Sequence, residues 1–74
     1  MKGTDDLNDI RIYQIEIQGR ADEDDLNAIV PLHMTVIQGD AQSTLFLVRT
    51  DQSGLVGLLR TLHGRGLVLL SVHS

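Results

Sequence analysis

The stretch from Thr44 to Val72, TLFLVRTDQSGLVGLLRTLHGRGLVLLSV, decides the fold, because it spells a strand, a helix and a second strand with the punctuation between them. Residues 44–50, TLFLVRT, are β-branched or apolar at nearly every position and predict a strand. Asp51 then stands where a helix N-cap is wanted, and Leu55, Leu58, Leu59 and Leu62 recur at helical spacing. Gly66 follows the last periodic leucine, where a left-handed C-cap is expected. Residues 67–73, LVLLSVH, form a nearly continuous apolar run that predicts a closing strand.

Working outward, the turn GDAQS (39–43) joins this unit to LHMTVIQ (32–38), whose alternation predicts the other arm of a hairpin. In RADEDDLNAIVP (20–31), Asp22 is placed to cap a short helix with Asp25 three residues on, acidic residues suit the positive end of the helix dipole, and Pro31 stops it. IRIYQIEIQ (10–18) alternates at Tyr13, Ile15 and Ile17 and predicts the first strand, ended by Gly19. Residues 1–9 are polar and read as a flexible N-terminal tail before a single domain over 10–74. The order is βαββαβ. It predicts an α+β, ferredoxin-like sandwich: a four-stranded antiparallel sheet in order 4-1-3-2 with two helices on one face. If Tyr13, Ile15 and Ile17 face the helices, Ile12, Gln14 and Glu16 face away. Both parities of 44–50 and 67–73 are apolar, so leucines, valines or a phenylalanine must stay on the uncovered side. An apolar patch of that kind on so small a chain marks an interface.

Composition points the same way. A chain of 74 residues buries a smaller fraction of its surface than a larger one does, and without cysteine it has neither disulfides nor thiolate metal sites to compensate. Self-association is the remaining ordinary way to bury more apolar area, so a homodimer or a protein partner is expected. The net charge is −4 and the six basic residues are scattered, which argues against phosphate-backbone binding. Tyr13 and Phe46 are the only aromatics, too few for a base-stacking platform. No apolar run reaches the ~18 residues that span a bilayer, and the N-terminus is polar and acidic, unlike a signal peptide. The expectation is a cytoplasmic protein that binds neither nucleic acid nor membrane.

Gly54 and Gly57 lie inside the predicted helix with no lysine after them, so they do not form a nucleotide loop, and the apolar Leu55-Val56 between them does not suit a nucleic-acid GxxG loop. Capping and close packing of the helix on the sheet explain these glycines better. The run Asp22-Glu23-Asp24-Asp25 lacks the alternation and glycine of a calcium loop and reads as a solvated helix start. His33, His63 and His73 fall on three different elements, with no pair at ligand spacing. No G-x-S-x-G elbow occurs. The expectation is therefore no enzyme, no catalytic residue, no metal and no cofactor.

The C-terminal half resembles a group of short uncharacterised bacterial proteins that read Asp-Gln, Leu-x-Gly-Leu-Leu, then Gly-Leu and a closing Leu-Leu-Ser-Val. The matching positions are Asp51, Gln52, Leu55, Gly57, Leu58, Leu59, Gly66, Leu67, Leu69, Leu70, Ser71 and Val72, with Tyr13, Ile15 and Gly19 in the opening strand. Members of that group carry tryptophans in the first helix and a proline where this chain has Val68. The resemblance implies fold and size, and no activity. A second, local likeness is to the ACT regulatory domain, whose strand-to-helix turn is similar to Asp51, Gly54, Leu55, Leu58 and Leu59. It implies an amino-acid-sensing domain with ligand at a dimer interface near Asp51, Gln52, Ser53 and Gly54, and this is the runner-up reading. The leading one is a homo-oligomerising interaction or regulatory module of a bacterial cell, with Leu45, Leu47, Leu67 and Leu69 as the interface, buried either through the helix-free sheet face or by augmentation along the last strand.

Overall fold

The computed structural model describes residues 9–74, so most of the proposed 1–9 tail lies outside the described residues. The elements are β1 (Arg11–Gln18), α1 (Glu23–Ile29), β2 (Met34–Gly39), β3 (Ser43–Thr50), α2 (Gln52–Gly64) and β4 (Leu69–His73). The strands form one antiparallel sheet in the order β2-β3-β1-β4, the expected order read from its other end. Tyr13, Ile15 and Ile17 of β1 join Phe46 and Val48 of β3, Met34 of β2, Leu26 of α1 and Leu58 and Leu62 of α2 in one buried cluster. Both helices therefore cover the same side of the sheet.

The two helices are held in different ways. In α2 the Gly54 N–H donates to Asp51 Oδ1 at 2.7 Å, the expected cap. Its other end closes as a Schellman motif: Gly66, at φ 83°, donates its N–H to the His63 carbonyl, and Leu67 donates to that of Leu62. This motif holds Leu67 in the turn, and the Val68 carbonyl then accepts the Gln18 N–H at 2.8 Å. The closing strand consequently starts at Leu69 instead of Leu67.

Asp22 occupies the N-cap position of α1 in extended conformation, yet its side chain makes no capping bond, contrary to expectation. Anchorage comes from β2. Asn27 Nδ2 donates to the Met34 carbonyl at 3.0 Å while the Met34 N–H donates to Asn27 Oδ1 at 2.7 Å. One turn earlier, Glu23 accepts the Val36 N–H at 2.8 Å. Together these side chains occupy backbone groups on the edge of β2 that no strand of the described residues pairs. The helix ends at Ile29, and Val30 is extended, as the residue before a proline must be.

Two further polar contacts shape the sheet. Buried Thr44 donates its hydroxyl to the Gly19 carbonyl and accepts the Ala21 N–H, tying the β1–α1 connection to β3. In the β2–β3 turn, Asp40 Oδ1 accepts the Ser43 and Gln42 N–H groups, and these bonds hold its carboxyl below the ordinary value of 3.8. The pairing register shifts between Val36 and Gln38 on β2 and between Ser71 and Leu69 on β4, which leaves Ile37 and Leu70 as the extra residues of the two edge strands.

Candidate functional site

The surface opposite the helices is built from the alternate residues of β1 and β3, the two central strands. Their register aligns three outward pairs: Ile12 with Arg49, Gln14 with Leu47, and Glu16 with Leu45. The rows continue outward to Thr35 and His73 beside the second pair, and to Gln38 and Ser71 beside the third. Leu45 and Leu47 thus stand at the middle of the sheet, half-buried by their neighbours, and Ile12 is 58% exposed at one end. An apolar centre inside a polar rim is the anatomy of a protein interface.

The two other residues named for the interface, Leu67 and Leu69, lie on the helix side of the sheet. Leu67 packs against the helix-side core from the Schellman turn, and Leu69 is in register with Ile17, which also faces the helices. Both line a groove of about 380 Å³ between α2 and β4, with Leu59, Leu62 and His63 on its other wall. The cause is the parity of β1: Ile17 is fully buried, so its partner must point to the helix side. Val68, Leu69 and Leu70 are exposed along this flank, a second apolar surface that alternation in 67–73 left undecided.

The turn Asp51 to Gly54 is committed to structure. Asp51 Oδ1 is taken by the Gly54 N–H, and a Cβ on Gly54 would overlap Thr50 Oγ1, so this glycine is required by close approach. Among the described residues nothing lies within 4 Å of a Cβ placed on Gly57, which corrects the expectation that this glycine serves close packing on the sheet. Beside the turn, Gln52, Ser53, Val56, Gly57 and Arg60 border a shallow hollow of about 440 Å³. Among the described residues no three His, Asp or Glu side chains gather as a metal site, and no helix is long and apolar enough to cross a membrane. Asn27, Glu23 and Thr44, which join distant segments, escaped the sequence reading because nothing local marks them.

Compared with known families, residues 12–73 match the family described as a domain of unknown function (DUF8691), and the chain belongs to it. No curated protein and no solved structure matches the chain.

Proposed function

We propose that this member of the DUF8691 family is a non-enzymatic, homo-oligomerising protein–protein interaction or regulatory module of the bacterial cytoplasm, built on a ferredoxin-like frame. The strand order and the shared helix-side cluster support the frame. One observation carries the interaction: Leu45, Leu47 and Ile12 lie on the outer side of the central strands, where no layer of the described residues covers them. Both edge strands are short and carry a register shift, and irregular edges disfavour strand addition, so the face is the better interface. Sedimentation at tens of micromolar tests this. A dimer weakened by Leu47→Asp is expected, because a carboxylate at the centre of the contact has no partner. A monomer, or a dimer indifferent to that substitution, overturns the reading.

A second reading, an ACT-like sensor of amino acids, is favoured by the hollow beside Gln52 and Ser53, where Arg60 could meet a carboxylate. It predicts a rise in melting temperature with one of a panel of amino acids, abolished by Arg60→Ala. Asp51→Ala is the poorer probe there, because it also removes the helix cap.

A further inference from the structure

We infer that the partner on the helix-free face is a second copy of this chain, related by a two-fold axis that runs across the strands, so that Glu16 of each copy meets Arg49 of the other. The inference rests on the reading of that face as the interaction surface, and adds to it an orientation and the groups that fix it.

Three outward pairs join β1 and β3 on this face. They form a block of three rows, with Glu16 at one corner and Arg49 at the diagonally opposite one. Four residues of strand separate the two rows, roughly 13 Å. The pair therefore cannot close within one chain, and each charge faces outward beside an apolar neighbour, Leu45 for Glu16 and Ile12 for Arg49.

A two-fold interface places the same patch against itself, so only a self-complementary patch suits it. Two simple orientations bring the sheets face to face. With the axis along the strands, Glu16 lands on Leu45 of the other copy and Arg49 on Ile12, which removes both charges from water against apolar side chains with no partner. That arrangement is strongly unfavourable. With the axis across the strands, the block is turned end for end. Glu16 then arrives at the end where Arg49 stands, about one strand spacing of ~4.8 Å to the side, within reach of a long guanidinium stem. The middle row of Gln14 and Leu47 meets its own image, which puts leucine near leucine at the centre. Two Glu16–Arg49 pairs then flank an apolar middle, the distribution that lets charges fix register while apolar area supplies affinity.

The experiment uses sedimentation equilibrium on the full chain, on Glu16→Arg, on Arg49→Glu and on an equimolar mixture of the two variants. Both positions lie on the outer face, and a thermal melt checks that each variant is folded. Each variant alone places two like-charged pairs in its dimer, and its dimer dissociation constant should rise roughly tenfold or more. In the mixture one chain presents arginine at both positions and the other glutamate, so the mixed dimer has two opposite-charge pairs and should recover to within about threefold of the original affinity. A dimer that responds to Leu47→Asp but shows no preference for the mixed pair overturns the orientation and leaves the interface standing. A monomeric chain, or a dimer indifferent to Leu47→Asp and disrupted instead by Leu69→Asp in the α2–β4 groove, overturns both.

Discussion

The two helices of this small domain cover the same side of the same sheet and are secured by opposite means. α2 runs for 13 residues and closes both of its own ends, through Asp51 at the start and Gly66 at the finish. α1 has seven residues, no side-chain cap, and an anchorage borrowed from β2 through Asn27 and Glu23. A helix that satisfies its own termini needs little from its surroundings except a face to bury. One of two turns is below the length at which an isolated helix persists, so its hydrogen bonds to a neighbouring strand replace the missing local stability. The same bonds serve β2 in return, since they occupy the Met34 and Val36 amides that a sheet edge would leave open.

This contrast can be broken most sharply at Asn27. Asn27→Ala leaves the N–H and C=O of Met34 unpaired together, and a loss of about 2–3 kcal/mol is expected in urea unfolding, with faster hydrogen exchange at the Met34 amide. Asp51→Ala removes only a cap and should cost about 1 kcal/mol. If the two losses were reversed in order, α1 would not depend on β2 as described.

Two glycines of α2 sharpen the comparison from the other side. Among the described residues nothing meets a Cβ at Gly57, so Gly57→Ala should stabilise the domain by about 0.8 kcal/mol through helix propensity. Gly54→Ala should instead lower the melting temperature, because its Cβ would displace the Thr50 hydroxyl. Equal responses at the two sites would contradict the assigned packing.

The smallest effect is expected at the Asp40 turn. Bonds from Ser43 and Gln42 lower its folded pKa, so its contribution is present above the ordinary value of 3.8 and is lost as pH falls through the lower, folded value. Asp40→Asn should therefore flatten the acid limb of the stability curve below about pH 4 and leave α1 and α2 unchanged. A titration of unfolding midpoints across that window reads it.

Legibility followed range. Asp51 and Gly66 announce themselves because a cap acts within three or four residues, and the alternation of Tyr13, Ile15 and Ile17 records which side of β1 is buried. Asp22 carried the same local signal as Asp51 and misled, because the neighbouring Glu23 and Asn27 secure α1 through β2. Thr44, an ordinary strand threonine by sequence, links Gly19 and Ala21 across 25 and 23 positions.

The interface residues divide along the same line. That some leucines would remain uncovered followed from the sequence, since both parities of 44–50 and 67–73 are apolar. Which ones they would be depended on pairing. Register with Ile15 and Ile17 sends Phe46 and Leu69 toward the helices and leaves Leu45 and Leu47 outside, beside Glu16 and Gln14. The order of elements, the caps of α2 and the existence of an apolar surplus are written into the chain itself, because they rest on periodicity and on contacts a few residues apart. Where that surplus lies and what anchors α1 depend instead on which strands lie side by side and in what register, and nothing local in the chain records that.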